Sequence, residues 1–188
     1  MEEPAVALQL AHHISLSRLG RRRLALVTGL SEMAVRIELD RLRDRGLIRI
    51  ERAGVELTDA GNAHFAPLLE SIRDLCEVEF TSLRLGQVAL AAHVRAEELS
   101  AAWILRDRAV REGASGLLLL SWNQDAWRFA HDGEPITVRN TRDARTIAKS
   151  FPDPREGDRL VIAFGPTLQQ ASLGLWHVLA QFASTPSS

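Results

Sequence analysis

The stretch Ser31–Ile50, SEMAVRIELDRLRDRGLIRI, decides how this chain is read. Val35, Leu39 and Leu42 fall at i, i+4 and i+7, which stacks them on one face of an α-helix. Glu32, Met33, Arg36, Ile37, Asp40 and Arg43 lie off that stripe and face outward. Ser31 suits the N-cap, because its hydroxyl can accept an otherwise unpaired N–H of the first turn. Gly46 can take the left-handed conformation that closes a helix, and Leu47, Ile48 and Ile50 then read as a short strand. The pattern predicts the second helix of a helix-turn-helix running into a wing.

The flanking sequence agrees. Upstream, Pro4–Ile14 has Val6, Leu10 and Ile14 at a spacing of four, and Gly20 opens a second helix, RRRLALVTG, which Gly29 should end. Leu24, Ala25 and Val27 are expected on its core side. Downstream, Leu47–Glu51, the turn Arg52-Ala53-Gly54 and Val55–Leu57 read as strand, turn and strand. Thr58 can cap the next helix. Pro67–Val78 reads as a further helix, with Leu68, Ile72, Leu75 and Cys76 on one side, linking the domains or pairing with a second copy.

Charge is distributed unevenly. The chain as a whole carries −1, but Leu16–Gly54 holds ten arginines against five acids. Residues 1–15 and 55–80 add only Arg73 and carry eight acids, so basic character is confined to the elements that would meet double-stranded DNA. Arg36, near the start of the predicted recognition helix, can reach a guanine edge, and Met33 and Ile37 can touch thymine methyls. Arg21, Arg22, Arg23 and Arg52 are placed for phosphates. Glu32 and Asp40 repel phosphate and can select against wrong sequences, and Arg43 completes the exposed face with Ser31 at its head.

Residues 20–61, GRRRLALVTGLSEMAVRIELDRLRDRGLIRIERAGVELTDAG, resemble the winged-helix domains of archaeal transcription regulators, including those fused to CTP-dependent riboflavin kinases. The segments Arg106–Gly116, RDRAVREGASG, and Glu156–Ile162, EGDRLVI, are similar to the C-terminal domain of an uncharacterised archaeal family of winged-helix regulators. The resemblance implies an architecture and a DNA-binding half. It implies no catalytic role.

From Ser82 the pattern changes. Leu83–Val94 reads as a strand and Ala96–Glu112 as a helix with Leu99, Trp103, Ile104 and Val110 on its buried side. Gly116–Trp122 and Ala126–His131 read as a hairpin, Thr141–Ser150 as a short helix, Arg159–Phe164 as a strand and Thr167–Phe182 as a closing helix. The tail Ser184–Ser188 is expected to fray. The expected fold class is α+β: a winged helix-turn-helix over 1–80, with a linker helix, and an antiparallel-sheet α+β sandwich over 81–188 with helices on one face.

The single Cys76 excludes an internal disulfide and a thiol-paired zinc site. No apolar run approaches the roughly 18 to 20 residues of a membrane helix, and MEEPAVALQL is acidic where a signal peptide is basic, so the expectation is a cytoplasmic protein. Neither a phosphate-binding loop nor a nucleophile or zinc-protease motif is present, so no enzyme activity and no cofactor are expected. His12 and His13, and His93, His131 and His177 with Asp125 and Asp132, suggest no metal site. Arg106, Asp107 and Arg108 are candidates for an anionic effector, and the four tryptophans, all in the second half, for core. The expected function is a sequence-specific DNA-binding transcription regulator, working as a homodimer and open to control by a small molecule. The alternatives are a winged helix turned to protein interaction and an enzyme fused to a DNA-binding domain.

Overall fold

The computed structural model describes residues 3–95 and 100–183. Residues 3–70, with 179–183, form one unit and residues 71–178 a second.

The first unit contains α1 (Ala5–Leu16), α2 (Arg21–Thr28), α3 (Glu32–Asp44), the strands β1 (Ile48–Glu51) and β2 (Gly54–Leu57), and α4 (Asp59–Ser71). Val35, Leu39 and Leu42 are buried as their spacing predicts, among Leu8, Leu10 and Leu24. On α2 the buried residues are Leu24, Ala25 and Thr28, with Val27 only half-buried. Thr28 takes the core position because its hydroxyl donates back to the Leu24 carbonyl at 2.7 Å, while the Gln9 amide donates to the Thr28 carbonyl at 3.0 Å and ties α1 to the end of α2.

Gly46, at φ +74°, closes α3. Its N–H donates to the Arg43 carbonyl and that of Leu47 to the Leu42 carbonyl, which satisfies the last carbonyls of the helix and turns the chain directly into β1. The β1–β2 hairpin pairs Ile48 with Leu57 and Glu51 with Gly54. Leu19 adds a single bridge to Val55, a third rung that anchors the hairpin to the chain just before α2.

His12 is buried in α1, and that burial, with a smaller contribution from neighbouring His13, pulls its pKa down to about 4. The unfolded chain therefore takes up a proton below about pH 6.5 that the folded unit refuses until about pH 4. Stability of this unit is expected to fall as pH drops through that window, by about 1.4 kcal/mol per pH unit. Denaturant titrations of wild type and His12→Leu should diverge there, and parallel pH profiles would contradict the assignment.

The second unit is a five-stranded sheet in the order β3 (Ile72–Glu77), β4 (Val88–Arg95), β7 (Asp158–Gly165), β5 (Gly116–Asn123), β6 (Ala126–Phe129), antiparallel at every pairing. The helices are α5 (Ala102–Arg111), α6 (Ile136–Arg139) and α7 (Thr141–Ser150), with α8 (Leu168–Ala183) beginning in this unit and ending in residues 179–183 of the first. Alternation along the strands sends Ala89, Ala91, Leu120, Leu160, Ile162 and Phe164 to one face, where Ile136 of α6 and Ala144 and Ile147 of α7 cover them. Leu90, Ala92, Val94, Leu119, Val161 and Ala163 alternate with that set and are buried too. Both faces of the sheet are therefore covered, rather than one. The fold class is as the sequence predicts, helices with antiparallel sheets.

Three local expectations are corrected. The linker helix expected over Pro67–Val78 stops at Ser71, and 72–77 forms β3, an edge strand of the second unit. A register shift between Ile72 and Asp74 breaks the two-residue alternation there, so the apolar positions mimic helical spacing. The strand expected from Leu83 begins at Val88. On α5 the sheet-facing residues are Leu105 and Ala109, whereas Trp103, Ile104 and Val110 are exposed. The expectations for 96–99, Leu99 included, and for 184–188 lie outside the described residues.

Candidate nucleic-acid interface

The turn into α3 is built as its residues predict. Gly29 takes φ +71°, Leu30 is buried, and the Ser31 hydroxyl accepts the Ala34 N–H at 3.1 Å. Ser31 is thus the N-cap. With Val35, Leu39 and Leu42 fixing the inner face, the outer face presents Glu32, Met33, Arg36 and Ile37, and Met33 and Ile37 are 61% and 60% exposed.

A cleft of about 570 Å³ lies beside this face. Its walls are the start of α2 (Gly20, Arg21, Arg22, Arg23), Arg36, Leu39 and Asp40 of α3, and the hairpin from Ile50 to Val55. Five arginines, Arg21, Arg22, Arg23, Arg36 and Arg52, and two acids, Asp40 and Glu51, line this one concave surface. Among the described residues, no ion-pair partner lies near Arg21, Arg23 or Arg52. Arg22 lies 3.8 Å from Glu32, an exposed pair that holds neither side chain strongly.

On α3 the charges are arranged along the helix. Asp40 stands 3.9 Å from Arg36 and 3.0 Å from Arg43, and Arg43 also reaches Asp44 at 3.1 Å. One carboxylate thus restrains two exposed arginines of the helix, Arg36 at i−4 and Arg43 at i+3. Beneath them, burial pushes the Glu38 carboxyl up, against the opposing pull of Arg41 at 3.6 Å.

Two contributors were not legible from residue type. The N-cap of α2 is Gly20, which offers no side-chain acceptor to the first-turn N–H groups, and Gly20 itself lines the cleft. Ile50, 46% exposed, adds an apolar wall on the hairpin. Conversely, Arg18 and Arg49 raise the local charge in the sequence but are held against the acids of the hairpin: Arg18 by Glu51 and Glu56, Arg49 by the same two residues at 3.7 and 3.5 Å.

In the second unit, Arg106 and Asp107 form an exposed pair at 3.3 Å, while Arg108 is half-buried, so the three do not converge as a fork. His93 bonds Asp158 at 2.8 Å, His131 lies 3.1 Å from Asp132, and His177 lies 3.6 Å from Glu112. The fold keeps these histidines apart, and among the described residues no group of three or more metal-ligating side chains comes together. No helix among them is long and apolar enough to cross a membrane.

Comparison with known proteins places both units. Residues 8–72 match the family model described as the CggR N-terminal DNA binding domain, and residues 86–182 match a domain of unknown function, DUF4443. A solved structure, a hypothetical protein from Pyrococcus horikoshii OT3, is similar in fold at a TM-score of 0.74, with 23% sequence identity over 95% of this chain and 91% of that one. No curated protein matches the chain.

Proposed function

The chain belongs to the DUF4443 family, and we propose that it acts there as a sequence-specific DNA-binding transcription regulator, working as a pair of copies and without a catalytic role. The observation that carries this reading is the cleft where Arg21, Arg23 and Arg52, without an ion-pair partner among the described residues, stand with Arg36 and Asp40 of α3. The likeness of residues 8–72 to a DNA-binding domain supports it. A helix of this length fits the major groove, with the arginines of α2 and the hairpin on flanking phosphates. Affinity for duplex fragments, titrated against salt, should fall steeply and linearly on logarithmic axes. Affinity that does not fall as salt rises would remove the phosphate contacts from the account.

Arg36 is the base-reading residue of this scheme, and Asp40 its restraint. Arg36→Ala is expected to weaken the preferred sequence by about tenfold to thirtyfold, some 1.4 to 2 kcal/mol, and to relax selection at one base pair with little change in salt slope. Asp40→Asn should act in the opposite sense, tightening binding to all sequences by freeing Arg36 and Arg43 and removing a charge that repels phosphate. Binding isotherms on preferred and scrambled duplexes separate the two, and equal losses on both duplexes in Arg36→Ala would place Arg36 on phosphate instead.

Two further parts of the reading have their own support. Met33 and Ile37, large and exposed, also suit a protein partner, in which case binding would be indifferent to salt and duplex DNA would not compete. Control by a small molecule is supported by a cleft of about 400 Å³ in the second unit, where Arg84 and Gln87 stand among Glu77, Glu79, Phe80 and Phe164. A metabolite that raises the unfolding temperature of wild type but not of Arg84→Glu would identify the effector class. Equal shifts in both proteins would move the site elsewhere.

A further inference from the structure

The outward face of α5 is its least expected feature. Leu105 and Ala109 seat the helix on the sheet, so its other side carries Trp103, Arg106, Asp107 and Val110 at i, i+3, i+4 and i+7, one continuous stripe. Trp103 is 64% exposed and Val110 46%. A groove beside Trp103, lined also by Leu117 and Leu119 of β5, carries the apolar surface beyond the helix. A tryptophan left this far in water at the head of a helix stripe marks an interaction surface.

The order of residues on the stripe says what fits it. Reflected about the midpoint between Arg106 and Asp107, the sequence apolar, basic, acidic, apolar becomes apolar, acidic, basic, apolar. Two such helices laid antiparallel about a two-fold axis at that midpoint bring each Trp103 onto the other copy's Val110 and each Arg106 onto the other copy's Asp107. Every apolar group then meets an apolar group and every charge its opposite, as an isologous contact requires. A parallel arrangement would set Arg106 against Arg106 and Asp107 against Asp107. We infer that α5 is a homodimerisation helix, and that its occupant is a second copy of this chain in antiparallel register. The inference names the surface for the pairing proposed above and rests on that pairing, though not on DNA binding.

A ten-residue helix from each copy makes a small interface, of the order that supports weak and reversible association below about 1,200 Å². The full chain without DNA should therefore pass from monomer to dimer as its concentration rises through the micromolar range. Charge reversal tests the register. Arg106→Asp and Asp107→Arg each place like charges across the axis, and each is expected to weaken the dimer by roughly tenfold or more. The double variant Arg106→Asp/Asp107→Arg restores opposite charges and should recover most of the association. Trp103→Asp should abolish it, with circular dichroism confirming that each exposed substitution leaves the fold intact. Sedimentation equilibrium of the five proteins reads the outcome. A wild-type chain that stays monomeric to several hundred micromolar would overturn the inference, as would a dimer unmoved by the single reversals or not recovered in the double variant. A chain that dimerises through this face yet binds no DNA would sink the regulator reading and leave this one standing.

Discussion

Replacing Arg21, Arg22 and Arg23 together by alanine is expected to weaken the binding of duplex DNA by about a hundredfold at physiological salt and to reduce the logarithmic salt slope by about 2 to 3. The slope follows from counting, since each phosphate neutralised releases condensed counterions at about 0.9 per contact. The affinity follows from roughly 1 kcal/mol for each charge-assisted contact, or about 3 kcal/mol for three. Arg22 contributes twice, because its loss also leaves Glu32, now 3.8 Å from its guanidinium, without a cation beside a phosphate. The preferred sequence should be unchanged, since contacts to phosphate carry no base information. Titrations of wild type and the triple variant check this directly, and an unaltered slope would show that the cleft does not hold the backbone.

Gly61→Ala is expected to destabilise the first unit by about 3 kcal/mol or more, at the upper end of overpacking substitutions. A Cβ at Gly61 would stand 1.9 Å from the Leu47 carbonyl oxygen, with backbone and not a flexible side chain in its way. That carbonyl is already engaged by the Thr58 N–H at 3.0 Å, and the Thr58 hydroxyl both donates to the Gly46 carbonyl and accepts the Gly61 N–H. The start of α4 is thereby clamped to the junction where α3 passes into β1. Forcing α4 away disturbs the end of α3 and the base of the hairpin together, so DNA affinity is expected to fall with stability. Far-ultraviolet circular dichroism follows the helices of both units, and its transition should drop by roughly 15 °C or more in Gly61→Ala. A Gly61→Ala protein as stable as wild type would contradict the clamp.

The first unit was legible because its signals are local. The stripe of Val35, Leu39 and Leu42, the N-cap Ser31 and the closing Gly46 each specify backbone within a few residues, and the structure follows them. The pairing of charges was not, since it depends on which strands and helices meet. Nothing in the sequence order says that Glu51 and Glu56 neutralise Arg18 and Arg49, whereas the grouping of Arg21, Arg22, Arg23 and Arg52 follows from their places at a helix start and a turn. In the second unit a bulge hid β3 behind helical spacing, and a sheet buried on both faces drew residues such as Val94 and Ala163 inward where one face was expected. The helical pattern over 96–112 groups Trp103 with Leu99, Ile104 and Val110 on a buried side. On α5 the rotation of the helix is set by Leu105 and Ala109, which turn the tryptophan outward.

Selection of bound sequences from a random duplex pool, run in parallel with the full-length wild type and with Arg36→Ala, tests most directly the claim that the exposed face of α3 reads DNA. The account predicts an enriched motif with guanine at one fixed position, and the same motif with that position flattened in the variant. A wild-type chain that enriches no motif, or a motif that Arg36→Ala leaves unchanged at every position, would contradict it.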